Sequence, residues 1–413
     1  MATTKVVCRS DSAFDGEQMH PGGLSVVVED GRIAAVVPSG TPPPDGAEVV
    51  YEPGTTLLPG LIDAHTHLCG NGAMDALDRL PHLSDAELDA TIEESLAINL
   101  AAGVTAVRDL GDQNWAVVDR HRDRPGRPTV VASGPPITTP GGHCAAMGGA
   151  ATGVDGLRRA VRERAEHGAD VVKVMATGGM MTAGTDVRAC QFSLAELRAV
   201  VDEAHRLGLP VTAHAHARAG MEQAVAAGVD GIEHGSCLAA DGMHLPPALA
   251  AAIVAAGIVV CPTVGNDLGR WGGRLPPQAA AMLQRAGIRP EQLGAHASEL
   301  HRAGVTLISG VDSGINPAKP HGFLPRSVAE LVRRGVPEMT ALASATGLAA
   351  DACGLAARTG RLRAGLEADL LIVRGDPGRD IAALREVHLV VRAGRVHGRG
   401  PHPTGMRPSS RIS

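Results

Sequence analysis

Two histidines separated by one residue, His65 and His67, close the apolar run Pro59-Gly60-Leu61-Ile62-Asp63-Ala64. On an extended strand residues two apart share a face, so both imidazoles project the same way. Neutral imidazole is a ligand for zinc and similar divalent ions; a hydrogen-bonded histidine pair is the plainer reading of these two residues alone. The pattern returns further along the chain. His214 and His216 end Val211-Thr-Ala-His-Ala-His, His234 ends Gly231-Ile-Glu-His, and Asp312 ends Leu307-Ile-Ser-Gly-Val-Asp. Lys173 stands inside Val171-Val-Lys-Val-Met, where a charged ammonium must be paired, neutralised or modified. A salt bridge to Asp312 or Glu233 would satisfy it. Reaction with CO₂ would instead give a carbamate, whose two oxygens can bridge two metals about 3.5–4 Å apart.

The elements that must position these groups are short apolar strands alternating with helical stretches. Candidate strands are Leu58–His67, Val104–Asp109, Thr129–Ser133, Val171–Met175, Val211–His216, Gly231–His234, Ile258–Pro262 and Thr306–Asp312. Between them lie Ala/Leu/Arg/Glu-rich segments with helical period, such as Leu194–Arg206 behind Ser193 as N-cap. Nearly continuous apolar strands with intervening helices imply a parallel sheet covered on both faces. Eight such units predict a TIM-type (β/α)₈ barrel, which needs roughly 250 residues and gathers its chemistry at the C-terminal strand ends, where all the residues above fall. An open doubly wound sheet is the alternative, but no G-x-G-x-x-G follows the first strand. Both ends of the chain read as β. Leu24–Glu29 and Arg32–Val37 form a hairpin across Asp30-Gly31, and Val387–Arg392 forms another across Ala393-Gly394. Residues 1–57 with 363–413 are therefore expected to build one small composite β-sandwich domain, and 58–362 the barrel. The tail from Gly398 onward reads as disordered.

Composition excludes several classes. The 413 residues are 44% hydrophobic and 20% charged with a net charge of −6, which suits a globular chain and gives no reason to expect a polyanion. Basic residues are scattered, and only three Phe, two Trp and one Tyr are present, so stacking platforms for nucleic-acid bases are lacking. No uninterrupted apolar run is long enough for a membrane span, and the first residues lack a signal core. Seven cysteines without a C-x-x-C pair suit a reducing compartment, so a cytoplasmic protein is expected.

Taken together, Pro59-Gly-Leu-Ile-Asp-Ala-His-Thr-His, Val172-Lys-Val-Met-Ala-Thr-Gly-Gly, Ala213-His-Ala-His, Ile232-Glu-His-Gly and Gly365-Leu-Glu-Ala-Asp-Leu resemble the amidohydrolase superfamily. The likeness is to the branch of imidazolonepropionase-like proteins, Xaa-Arg and Xaa-Pro dipeptidases and ochratoxinase-like amidases, and it runs over nearly the whole chain. The resemblance implies two divalent metal ions, expected to be zinc. His65 and His67 would hold the buried metal, a Lys173 carboxylated by CO₂ would bridge, and His214 and His234 would hold the second. Asp312 would bind the first metal and take the proton of the attacking water. His143, in Thr139-Pro-Gly-Gly-His-Cys, resembles a substrate-facing histidine of relatives, and His216 is a second candidate substrate contact.

Two departures stand out: Ser309-Gly-Val311-Asp312 where relatives usually read Gly-Thr-Asp, and Ala217-Arg218 where a glycine is common. Neither touches an expected ligand. The expected reaction is cleavage of an amide or peptide bond in a small-molecule or peptide substrate, with Arg188 and Arg218 as nearby cations; a homo-oligomer is left open. A cyclic amide hydrolase of the imidazolonepropionase type, or a peptidase tailoring a peptide natural product, is the alternative. Histidines 121, 167, 205, 296, 301, 388 and 402 are expected on the surface, and Cys69, Cys144 and Cys237 as packing.

Overall fold

The computed structural model describes residues 5–122, 124–240, 242–271, 277–289, 292 and 294–399. Its centre is a set of parallel strands. Leu61–Thr66 pairs with Val104–Asp109, which pairs with Thr129–Ala132. Val172–Met175 pairs with Val211–Ala217, that strand with Gly231–Ala239, and the last with Val259–Cys261. Single parallel bridges extend these groups, Ile137 to Val174, Val260 to Leu307 and Thr66 to Ser313. Helices alternate with the strands, as the binary pattern predicts. Leu194–Arg206 begins with a full capping box: Ser193 Oγ accepts from the Glu196 N–H, and the Glu196 carboxylate accepts from the Ser193 N–H.

The two ends of the chain meet in two further sheets. One contains Arg32–Pro38, Leu24–Glu29, Val6–Arg9 and Glu48–Tyr51. In the other, Leu370–Arg374 lies antiparallel between Thr55–Pro59 and Val387–Arg392. Both expected hairpins form, with Asp30 (φ 48°) and Gly31 (φ 77°) in one turn and Ala393 (φ 47°) and Gly394 (φ 76°) in the other. The second sheet is apolar on both faces because each is buried. Leu57, Leu370 and Ile372 pack into a cluster with Val26 and Ile33, whereas Leu58, Leu371 and Val373 join the large core around the parallel strands. The period-two alternation of side chains makes that division. Gly398 and Arg399, expected to open a disordered tail, instead close the last strand, Arg395–Arg399; residues 400–413 lie outside the described residues.

The run Thr306–Asp312, expected as a strand, does not form a regular one. Its backbone alternates between partners: Ile308 N–H donates to Val260 O, Ser309 N–H to Ser344 O, and Asp312 N–H to His65 O, while Val311 N–H donates to the Asp63 carboxylate. Gly310 allows this close approach. A Cβ there would stand 2.6 Å from His65 N and 2.7 Å from Cys261 Sγ. Gly310→Ala is therefore expected to destabilise the protein by roughly 1–3 kcal/mol, read as a lower midpoint in thermal or denaturant unfolding. An unchanged midpoint would mean that the segment has slack at this point.

Candidate metal centre

All eight residues singled out in the sequence, His65, His67, His143, Lys173, His214, His216, His234 and Asp312, line one cavity at the C-terminal ends of the parallel strands. Every one is buried. Strand register brings several together directly, with Met175 opposite His214 and Ala215 opposite His234. The histidine rings pack against one another: centroids of His214 and His234 are 4.5 Å apart, and His216 and His234 stack at 4.4 Å.

Each ring is held through one nitrogen by a neighbouring group. His65 Nδ1 lies 2.7 Å from Glu233 Oε2 and His67 Nδ1 lies 3.1 Å from Gly111 O. A carbonyl or an ionised carboxylate can only accept, so both Nδ1 atoms carry the proton and both Nε2 lone pairs are free. His65 Nε2 and His67 Nε2 lie 3.4 and 3.3 Å from the same atom, Asp312 Oδ1. His214 is turned the other way. Its Nε2 donates to Gly178 O at 3.2 Å, which leaves Nδ1 as the ligating atom. His234 Nδ1 meets Thr263 Oγ1 at 2.8 Å, and His216 Nδ1 meets Ser236 Oγ at 2.9 Å. Two groups result whose donor atoms lie within 4.8 Å of each other, His65–His67–Asp312 and His214–His216–His234. Neutral imidazoles with preset tautomers beside a carboxylate are a donor set that fits a divalent metal.

Burial, helped by Lys173, keeps the His65 ring neutral against the neighbouring Glu233 and Asp312 carboxylates, which favour its protonated form. Burial alone would push Glu233 up, but the Arg108 guanidinium at 2.8 Å and His65 hold its carboxyl far below the usual range. Asp312 is likewise held low against its burial by His67, His65 and Lys319. Lys173 is different. Burial lowers its pKa, and its side chain makes no hydrogen bond or ion pair among the described residues. The two salt bridges that the sequence left open for it are absent, since Glu233 is taken by Arg108, His65 and Thr212, and Asp312 by the two histidines, with Lys319 near its other oxygen.

Other expectations need correction. Arg188 is exposed, in keeping with a solvated loop residue, but Arg218, expected near the site, turns toward His244, 3.1 Å away; neither lines the cavity. The cation that does, besides Lys173, is Lys319, which sequence reasoning missed because a lysine in the loop Asn316-Pro-Ala-Lys-Pro carries no periodic signal. His121, His296 and His388 are buried, not on the surface. His121 lies between Asp89 at 2.8 Å and Glu93 at 3.3 Å, two carboxylates one helical turn apart, and His296 lines the cavity. His402 lies outside the described residues. Cys69, Cys144 and Cys237 are buried, and Cys144 lines the cavity beside His143. The rest of the wall combines apolar side chains, among them Met74, Met180, Met181, Leu283 and Ile315, with the polar Ser236, Thr263, Asn266 and Asn316.

Residues 56–397 match the amidohydrolase family. The chain is 31% identical over 362 residues to ochratoxinase of Aspergillus niger, covering 80% of this chain and 72% of that protein. It is 28% identical to imidazolonepropionase of Paracidovorax citrulli, covering 90% of each. Among solved structures, a Xaa-Pro dipeptidase with methionine bound in the active site superposes with a TM-score of 0.83 at 25% identity, covering 96% of this chain and all of that one.

The burial of so many imidazoles has a consequence for acid stability. In the metal-free protein burial lowers the pKa of His65, His296 and His321 to about 4 and of His143 and His216 to about 3, and lowers His214 and His234 further. Burial raises four carboxyls, Asp63 and Asp109 to about 7, Asp112 to about 6, and Asp369. A histidine neutral in the fold gains its proton only on unfolding, so its contribution is complete above about pH 6.5 and is lost as pH falls toward the folded value. The carboxyls act oppositely between about pH 4 and 7. The lowered histidines outnumber the raised carboxyls, and carboxyls held low in the fold, Glu233 and Asp312 among them, add to the effect, so unfolding binds protons on balance as pH falls from about 6.5. Chelator-treated protein is thus expected to lose thermal stability steeply from pH 6.5 toward 4; a flat or rising profile would show the rings protonated in the folded state.

Proposed function

The chain belongs to the amidohydrolase family and is a hydrolase acting on C–N bonds; from that premise we propose a two-metal enzyme that cleaves an amide or peptide bond, working as a dipeptidase, a carboxypeptidase-like enzyme or an N-acyl amino acid amidase. The observation that carries this reading is Lys173, whose side chain is buried at the cavity wall among the histidines with no hydrogen-bond or ion-pair partner among the described residues. Its burial favours the neutral amine, the form that attacks CO₂: an N–C bond forms, a proton leaves, and a carbamate remains. In this reading His65, His67 and Asp312 would hold one zinc ion and His214 and His234 the other, with a carboxylated Lys173 as a ligand available to both. A bound metal pair supplies Lewis acidity, polarising the scissile carbonyl and lowering the pKa of water.

The chain's own groups do the rest. Asp312 accepts the proton of the attacking water and returns it to the leaving nitrogen. His143, with Nδ1 held by Thr182 Oγ1 at 2.8 Å, and His216, with Nδ1 on Ser236, turn their remaining nitrogens to the substrate. We read the scaffold as a closed (β/α)₈ barrel. Support comes from the parallel strand pairs and the bridges 137–174, 260–307 and 66–313, which link eight segments end to end. The sheets of residues 1–57 and 363–413 would form the companion domain. Seven free cysteines support a cytoplasmic site of action. Among the described residues no helix is long and apolar enough to cross a membrane. The match to imidazolonepropionase keeps cyclic amides as the second reading.

Two outcomes are expected. Protein grown with zinc should carry about two metals per chain and take up isotopically labelled bicarbonate at Lys173, visible by NMR; one metal or fewer, with no labelled carbamate, removes the two-metal reading. Substrates with a free C-terminal carboxylate should be cut faster than amidated counterparts, a preference that His216→Ala weakens. Equal cleavage of both, or turnover of cyclic amides alone, would favour the second reading.

A further inference from the structure

Lys319 has no role in the reading above. It lies seven residues beyond Asp312 at the end of a turn whose Lys319 N–H donates to Asn316 O at 3.1 Å. The turn brings its side chain, buried, back to the cavity wall. There Nζ donates to Thr263 O at 2.6 Å and to Val311 O at 2.8 Å, and stands 3.9 Å from Asp312 Oδ2. The two carbonyls belong to different strand ends. Val311 directly precedes Asp312; Thr263 meets His234 through its hydroxyl. Three residues there hold left-handed backbone, Thr263 at φ 46°, Asp312 at 64° and His234 at 69°, conformations that persist in non-glycine residues only where the surroundings impose them.

An ammonium has three N–H bonds in a compact fork. Two are committed to the carbonyls, so the lysine is a cross-link before it is anything else. A substrate anchor fits poorly, because a second carboxylate brought to Nζ would stand beside Asp312 Oδ2 and be repelled. We propose that Lys319 is a positioning residue for Asp312, tying the Asp312 strand end to Thr263 so that the carboxylate enters the cavity facing His65 and His67. The inference rests on Asp312 being the general base, and the experiment separates the two ideas.

Zinc-loaded full-length wild type, Lys319→Met, Lys319→Arg, Asp312→Asn and the Lys319→Met/Asp312→Asn double variant are compared for metal content, thermal midpoint and steady-state kinetics on a dipeptide that the wild type cleaves. Lys319→Met is expected to keep its metals and to lower kcat about ten-fold or more, with KM within about two-fold, the signature of misplacement and not of lost binding. Lys319→Arg, which retains donors, recovers part of the loss. The cobalt-substituted Lys319→Met protein should show a changed visible absorption, reporting an altered Asp312 at the metal. In the Asp312→Asn background the added Lys319→Met should change the residual rate by less than about two-fold.

Multiplying losses in the double variant, an unchanged kcat, or a rise in KM confined to substrates with a free carboxylate would each overturn the proposal. A wild-type rate in Asp312→Asn would overturn the general-base reading instead. If Lys319→Met does not fold, the kcat, KM and cobalt spectrum of Lys319→Gln and Lys319→Arg decide.

Discussion

The Glu233 carboxylate lies fully buried under the histidines and receives three donors: Arg108 Nη2 at 2.8 Å, Thr212 Oγ1 at 2.6 Å and His65 Nδ1 at 2.7 Å. This contact decides more than its own energy. It fixes which nitrogen of His65 carries the proton, and it supplies the negative charge that lets a guanidinium sit beneath the parallel strands. Removing one member of such a buried set would strand the others, at about 3–5 kcal/mol. Arg108 also donates from Nε to Ala64 O, so the same group holds the backbone next to the ligand it serves. The chemistry at the top of the strands therefore depends on an ion pair inside them.

Above that foundation, regular β structure ends and local irregularity begins. His234, inside the strand Gly231–Ala239, and Asp312 hold left-handed backbone, as does Thr263, which orients His234. Regular strands send successive side chains to opposite faces, and these residues depart from that geometry where they line the cavity. Hydrogen bonds hold these ends in place, such as Asp63 accepting from the His65 N–H of its own strand and from the Val311 N–H of the distant Asp312 segment. One carboxylate thus pins two ligand-bearing ends together.

The walls contrast with this rigid floor. Methionines at 74, 175, 180 and 181 line the cavity with aliphatic neighbours, and among the described residues no Phe, Tyr or Trp lines it. Thioether side chains adapt to varied apolar shapes, so orientation of a substrate falls to the few polar groups, His143, His216 and the metal ligands' surroundings. A site of that kind discriminates by where its polar atoms stand more than by the outline of a pocket.

The residues of the centre were legible in the sequence because strand periodicity is local: His65 and His67 must share a face, and His214 and His216 likewise. Lys173 was legible because a lysine in an apolar strand needs an explanation. The hairpins at Asp30-Gly31 and Ala393-Gly394 and the cap at Ser193 were readable for the same reason, since turn and cap chemistry lies within a few residues. Partner choice was not readable. His65 and Glu233 are 168 residues apart, Val311 and Asp63 are 248 apart, and Lys319 reaches Thr263 across 56. The loss of regularity in Thr306–Asp312, the burial of His121 and His296, and the turning away of Arg188 and Arg218 depend on neighbours that only the folded chain supplies. Sequence determines what each strand end can offer, because that follows from residue type and a period of two. The tertiary structure decides which offers meet, because burial and hydrogen bonding are settled between segments that are far apart along the chain.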